Sequence, residues 1–415
     1  FFPQIVSHVA YLSTPVPDIP FYDISQVKQD NTTSKQREIM MKHSWDNYVR
    51  YAWGKNELRP ISKRGHSASI FGSMSLGATI VDGLDTLYIM GLDEEFKQGR
   101  DWIAEKFDIN SATTDLSVFE TNIRFVGGLL TCFALTGDIM FRDKAEEIAE
   151  KLLPAFQTQT GIPHSLINVK LGAASKNYGW ASGGCSILSE IGTLHLEFSY
   201  LSDVTGNPVY RAKVDHIRRV IQGMDKPRGL YPNYINPKME NGANHHHMSM
   251  GGLGDSFYEY LLKAWLQSGR EDQEARQMYD DAMHYVLLHM LKVSPGGLTY
   301  ISDMKFDRLE HKMDHLACFS GGMIGLGAHT LKNDLSKRYM GIADAITNTC
   351  HESYDRTATK LGPEAFRFTD AIEAKALKSS EKYYILRPEV IESYSSCGDL
   401  LKIKNIETGV GKLFR

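Results

Sequence analysis

The sequence predicts an all-α protein, a closed toroid of helical hairpins, and three observations predict it. Short turns at Gly137, Gly206, Gly269 and Asn333 recur at intervals of 63 to 69 residues, each between an apolar segment and a more charged one. The apolar segments step by three and four: Phe119, Ile123, Val126, Leu130 and Phe133 form one stripe of a buried helix. The return segments at 161–184, 229–254 and 296–314 carry no helical pattern and are rich in Gly, Asn, Tyr and His. No single hairpin could bury its apolar face alone, so the units must stack. Apolar inner helices with amphipathic outer ones suggest a ring in place of an open solenoid.

Taken in order, the first 35 residues read as a stem or linker, with Pro3, Pro15, Pro17 and Pro20. The chain opens on Phe1, so a signal or membrane anchor is expected upstream. Asn31-Thr32-Thr33 is a glycosylation triplet consistent with a secretory route. Residues 36–394 read as the ring, beginning with the turn at Gly91-Leu92-Asp93. Outer helices are expected from Phe141 to Phe156, Tyr210 to Ile221, Glu274 to Leu291 and Lys337 to Cys350. Residues 395–415 read as a divergent tail. Long loops without a helical pattern are usually functional, and here they meet the starts of the inner helices.

The 415 residues are 42% hydrophobic and 23% charged, enough for a sizeable core. A formal net charge of -4 gives no reason to expect nucleic acid as a partner. No apolar run reaches the 18 or so residues of a spanning helix. None of Cys132, Cys185, Cys318, Cys350 and Cys397 forms a CxxC pair, which speaks against a zinc ribbon or a thioredoxin motif. An odd count allows one or two disulfides, or none. His245-His246-His247 lacks the spacing of a zinc site and reads as a solvated loop. Asp280-Asp281 opens no DDxxD pattern, against an isoprenoid enzyme.

Three acids stand at the starts of inner helices. Glu120 shares a helix face with Arg124, ahead of Gly127-Gly128. A Gly pair inside a helix costs roughly 1 kcal/mol per residue against Ala, so something polar or another backbone is expected close by. Ser256-x-x-Glu259 fits a capping box, which would start a helix at Ser256 and leave Asp255 just outside it. Pro388-Glu389 suits a first helical turn. Each acid alone has a bland account, as an i,i+4 ion pair or a dipole partner. A ring would bring all three to one pocket. Carboxylates around a sugar-sized cavity suggest glycoside hydrolysis, one acid protonating the leaving oxygen and another activating water. Tyr178, Trp180, Tyr231 and Tyr234 in the loops suit sugar faces and hydroxyls.

The segments 75–92, 119–130, 251–263, 313–319 and 386–393 resemble, in the same order, the motifs of the class I α-1,2-mannosidases, family 47 of the glycoside hydrolases. They include Phe119-Glu120-Thr121-Asn122, Gly254-Asp255-Ser256-Phe257, Met313-Asp314-His315 and Arg387-Pro388-Glu389. The wording of 251–263 is closest to the Golgi branch. The resemblance implies an (α/α)7 barrel and an inverting hydrolase that trims α-1,2-linked mannose from N-glycans. It implies Glu120 as general acid, Asp255 and Glu389 as alternatives for the base, and Arg124, His315, Arg387 and Glu392 as substrate-binding positions. It implies a disulfide between Cys318 and Cys350, leaving Cys132, Cys185 and Cys397 free. The partners implied are oligomannose glycoproteins, met by a monomer in the Golgi lumen, anchored as a type II membrane protein; the endoplasmic reticulum is the alternative.

The resemblance also implies one Ca2+ at the barrel floor, held largely by waters and by the threonine of a Thr-Glu segment near the C-terminus. This chain has no Thr-Glu dipeptide, and after Tyr394 it reads Ser395-Ser396-Cys397-Gly398-Asp399. The expectation is therefore a barrel incomplete at its C-terminal end, without the threonine ligand. A second reading follows, a form that binds glycans without cleaving them.

Overall fold

A computed structural model describes residues 31–401 apart from 68, 172–174 and 240–246. Most of the expected stem, the tail beyond 401, and His245 and His246 lie outside the described residues. The first described helix, Asn31–Ala52, already begins within the segment read as stem.

Helical hairpins follow one another around a ring. Ala78–Ile89 turns at Gly91 into Asp93–Lys106. The helical run Val118–Thr136 turns at Gly137 into Ile139–Leu152. Leu188–Gly192 and His195–Thr205 lead through Gly206 to Val209–Gly223. Asp255–Gln267 leads through Gly269 to Gln273–His289. Phe319–Leu331 leads to Asp334–Asp355, and Glu389–Leu401 follows. The first helix of each pair faces inward and packs on its successor, from Ala78–Ile89 round to Glu389–Leu401. Gly137, Gly206 and Gly269 adopt left-handed φ of 71°, 75° and 69°, which spares a Cβ clash at the helix end. At the fourth turn Lys332 takes that conformation, and Asn333 caps the next helix in a capping box with Ser336.

The return loops are stitched together by very short antiparallel strands. Leu116–Ser117 pairs with Leu166–Ile167, which pairs with Ser175–Lys176. Ser186–Ile187 pairs with Tyr234–Ile235, and Lys312–Asp314 pairs with Ala365–Arg367. Each first-named strand runs straight into an inner helix or its 3-10 lead-in, so the stitching fixes where that helix begins. His247 belongs to this layer. It is not in a solvated loop: it sits half-buried in strand His247–Met248 against Met304–Lys305.

Val118–Thr136 is long and apolar enough on average to cross a membrane, although Glu120 and Arg124 interrupt it as an apolar run. Most of its apolar surface is buried inside the ring, and it carries Glu120 and Arg124, so it is a core helix here. The Gly pair has the expected use: a Cβ on Gly128 would stand 2.9 Å from the Val81 carbonyl oxygen of the neighbouring inner helix.

Candidate functional site

The candidate region lies at the inner-helix starts, where Glu120, Asp255 and Glu389 stand in first helical turns. Ser117 ends its strand and its hydroxyl accepts from the Glu120 N–H at 3.2 Å, fixing Glu120 in the first helical turn. The next five residues, Asn122–Val126, form a π-helical turn, a device frequent at functional sites. It leaves Arg124 bridging two acids: Nε donates to Glu120 at 2.7 Å and NH1 donates to Asp82 at 3.0 Å. A simple i,i+4 pair would not need Asp82.

Glu190 occupies the same place one hairpin on, third in its helix after strand Ser186–Ile187, as Glu120 is third after Leu116–Ser117. Burial and nearby Glu120 push its carboxyl up to about 7. Its Oε2 is buried with no hydrogen-bond partner among the described residues.

Asp255 opens its helix directly, with Gly254 as the cap residue. The capping box expected at Ser256 does not form. The Ser256 hydroxyl instead accepts from Thr193 at 2.7 Å, and Glu259 is paired with Lys263 in the interior. The glycine loop before Asp255 is needed for a close approach: a Cβ on Gly251 would overlap the Asp314 carboxylate, which accepts from the Gly252 N–H at 3.1 Å. Burial, and then Asp314, Glu259 and Glu389, push the Asp255 carboxyl well above the usual range. Burial and nearby Asp303 push Asp314 up to about 6.

Glu389 opens the last described inner helix. Its Oε2 lies 2.9 Å from His315 Nδ1, and His315 Nε2 lies 2.5 Å from the Tyr354 hydroxyl. Arg387 makes a two-pronged pair with Glu364 at 2.6 and 2.5 Å. Leu253 and Leu386, just ahead of Asp255 and Glu389, hold φ of 80° and 60°, strained for a branched side chain. Such strain clusters at functional sites.

The two groups are linked. The Asn122 amide donates to Glu197 at 2.9 Å, and the Tyr260 hydroxyl donates to its other oxygen at 2.6 Å, joining the Glu120 helix to the Asp255 helix. Deeper in, Glu259 and Lys263 are each 4% exposed, and burial and then Glu259 push Glu392 up to about 8. Tyr231, expected to suit a sugar face, is a core residue instead; it is 4% exposed and packs on Phe257 and Tyr258. Tyr234 is half-buried beside His247.

Sequence reasoning missed Asp82, Glu190, Glu259, Lys263, Asp314 and Glu364 as members of the site. Asp82 and Asp314 sit inside the quoted motifs, and Glu190 could have been found by aligning Ser186-Ile187-Leu188-Ser189-Glu190 on the Glu120 segment. Glu364 carries no local signal.

An acid-lined mouth on stacked helical hairpins defines the class: an α/α toroid with its side-chain chemistry gathered at one end. The chain belongs to glycosyl hydrolase family 47, whose profile matches residues 40–397. It is 67% identical over 368 residues to the mannosyl-oligosaccharide alpha-1,2-mannosidase IA of Drosophila melanogaster, covering 88% of this chain and 55% of that protein. It is 55% identical over 387 residues to the human mannosyl-oligosaccharide 1,2-alpha-mannosidase IB, covering 92% and 60%. The chain thus spans a little over half the length of these relatives. Among solved structures, an alpha-1,2-mannosidase from Trichoderma reesei superposes with a TM-score of 0.80 at 24% identity, covering 91% of this chain and 83% of that one. A cellobiose 2-epimerase from Bacillus thermoamylovorans B4167 superposes at 0.61 and 9%, covering 90% and 100%. The fold is thus that of an α-1,2-mannosidase, an (α/α)7 barrel.

The Ca2+ implied by the resemblance is expected on waters and a threonine, not on a cluster of acids. Among the described residues no three His, Cys, Asp or Glu side chains converge as a metal would require. Glu259 is engaged by Lys263, and Glu197 by Tyr260 and Asn122. No step below runs through the ion.

The disulfide implied by the resemblance is present between Cys318 and Cys350, and Cys132, Cys185 and Cys397 are free and buried.

Proposed function

We propose that this chain hydrolyses α-1,2-linked mannose from the oligomannose N-glycans of glycoproteins, with inversion at the anomeric carbon. The observation that carries the reading is the set Glu120, Asp255 and Glu389, each in the first turn of an inner helix of a family 47 barrel. The names of the relatives, mannosyl-oligosaccharide α-1,2-mannosidases, support the substrate.

In this reading Glu120 is the general acid that protonates the leaving oxygen. Asp82 matters to that role: it shares Arg124, so the guanidinium keeps a counter-charge while Glu120 carries a proton. The base must be ionised. Asp255, pushed toward its neutral form by burial and then by Asp314, Glu259 and Glu389, is the poorer base and a holder of a sugar hydroxyl; Glu389, 2.9 Å from His315, takes the role of base. Arg124, His315, Arg387 and Glu392 shape the sugar pocket. The Cys318–Cys350 disulfide suits an oxidising compartment, and we place the protein in the secretory pathway, in the Golgi lumen.

The test is release of mannose from an α-1,2-linked oligomannose glycan, followed by NMR. Mannose should appear first as the β anomer. Glu120→Gln should lower kcat by about 10²- to 10⁴-fold. No release by the intact chain, or first appearance of the α anomer, would sink the proposal.

A further inference from the structure

The hairpin between the first described helix and the first inner helix carries a surface that the pocket does not use. Strand Glu57–Arg59 pairs antiparallel with Arg64–His66 across the turn 60–63. At its root the facing pair is complementary, and the Glu57 carboxylate bonds the His66 ring. At its tip Arg59 stands directly opposite Arg64. Like charges directly opposite on a strand pair destabilise it. In the turn between them Ile61 is 99% exposed. Lys63 holds a left-handed φ of 52°, strained for a residue with a Cβ.

The positive charge extends beyond the hairpin. The Arg50 guanidinium, at the end of helix Asn31–Ala52, lies 5.1 Å from the Tyr51 ring centroid, and Lys63 Nζ lies 5.7 Å from the same ring. Among the described residues, none of Arg50, Arg59, Lys63 and Arg64 forms an ion pair. The hairpin's own acid, Glu57, is taken by His66. In a chain of net charge -4 these four cations are a local patch of the opposite sign. A lone exposed aliphatic side chain is ordinary on a surface. Here it projects from a strand pair weakened by facing arginines, a cost that an acidic partner would offset.

The patch is tied to the mouth. The carbonyl of Asn56, just ahead of the hairpin, accepts from the Thr79 N–H at 3.1 Å and from the Thr79 hydroxyl at 2.8 Å. The Asn56 side chain accepts from the Leu76 N–H at 2.8 Å and donates to the Met74 carbonyl at 3.0 Å. Thr79 lies in the first turn of inner helix Ala78–Ile89, whose Asp82 accepts from Arg124 beside Glu120. The hairpin is therefore rooted at the end of the ring where the inner helices start. A bilayer seated on that end would lie across the mouth, whereas a glycoprotein whose glycan enters the mouth brings its polypeptide there. We propose that the hairpin 57–66, with Arg50, docks an acidic polypeptide segment of the glycoprotein whose glycan is being trimmed. The cations meet its carboxylates, and Ile61 meets an apolar side chain. The proposal rests on the reading of the chain as an oligomannose hydrolase, and it adds a contact with protein, not with sugar.

Two measurements on the full chain test it. In the first, kcat/KM for mannose release is compared between a glycoprotein whose oligomannose glycan sits beside an Asp- and Glu-rich segment and the same glycan freed from protein. The intact chain should favour the glycoprotein. Arg59→Ser with Arg64→Ser should lower kcat/KM on the glycoprotein about five- to tenfold and leave the free glycan unchanged. In the second, a fluorescein-labelled Glu-rich peptide carrying one Leu is titrated by anisotropy. The intact chain should bind it, more weakly as salt rises. The double variant should lose that binding, and Ile61→Ser should weaken it while keeping the salt dependence. Removing two facing like charges should leave Tm equal or higher, so a loss of binding is not a loss of fold. No peptide binding by the intact chain, or unchanged binding in the double variant, would overturn the docking. Equal kcat/KM of the intact and double-variant chains on the glycoprotein would do the same. So would binding to phosphatidylserine vesicles in place of the peptide, which would assign the hairpin to a membrane surface. Failure of the intact chain to release mannose from either substrate would sink the hydrolase reading, and the peptide titration would still decide the docking by itself.

Discussion

Glu392 shows what one residue can report about the interior. Burial, and then the like charge of Glu259, raise its carboxyl to about 8. In the unfolded chain it would titrate near the ordinary glutamate value, about 4.3. Between those two pH values the folded state holds a proton that the unfolded state has lost. Stability therefore falls as pH rises through this window, and the contribution is gone above the folded value. Glu392→Gln keeps the shape and removes the titration. Its Tm should match that of the parent near pH 4 to 5 and exceed it by several degrees at pH 8. A constant Tm difference across that range would refute the assignment. Reading the sequence at this scale works where the signal is local. Glu120 is visible because Arg124 and the Gly127-Gly128 pair share its helix, and Glu389 because Pro388 suits a first helical turn. The Ser256 capping box misleads because Thr193, from another hairpin, takes the hydroxyl. Tyr231 misleads because aromatic loop residues and aromatic core residues look alike until burial is known.

At the scale of the element, two inner helices carry testable loads. In Val118–Thr136 the Gly128 position lets the helix settle on the Val81 carbonyl. Gly128→Ala places a methyl 2.9 Å from that backbone oxygen, which has no side-chain freedom with which to yield. The gain in helix propensity, about 1 kcal/mol, is outweighed by overpacking of roughly 1 to 3 kcal/mol. The expected result is a lower midpoint in urea with unchanged slope; a higher midpoint would show that the helices move apart freely. In Asp255–Gln267 the residues Asp255, Glu259 and Lys263 lie four apart on one inward stripe. Lys263 also sits 5.6 Å from the Phe319 ring centroid. Lys263→Met strands a buried carboxylate and should cost about 3 to 5 kcal/mol. Adding Glu259→Gln should recover most of that, because a neutral pair has no charge to solvate. A double variant as unstable as the single one would contradict the pairing.

At the scale of the molecule, the ring is a chain of neighbour contacts, and that much was legible: evenly spaced turns gave the hairpins, and the hairpins gave the stacking. The stitching strands were not legible, because pairs such as Leu116–Ser117 and Leu166–Ile167 are too short to leave a period in the sequence. One covalent link crosses from the inner layer to the outer. Cys318, just ahead of helix Phe319–Leu331, is joined to Cys350 near the end of Asp334–Asp355, at a sequence separation of 32. Loop closure of that length restrains the unfolded chain by about 3 to 4 kcal/mol. The same link lies three residues from His315 and four from Tyr354, whose hydrogen bond holds His315 against Glu389. Cutting it should therefore act twice. Cys318→Ala with Cys350→Ala should lower Tm by several degrees, since 1 kcal/mol shifts a large domain by a few degrees. It should also lower kcat at temperatures well below that Tm, because His315 loses a fixed neighbour on each side. A lowered Tm with unchanged kcat would confine the disulfide to stability. An unchanged Tm would mean that the packing of Phe319–Leu331 against Asp334–Asp355 already fixes the layers without the bond.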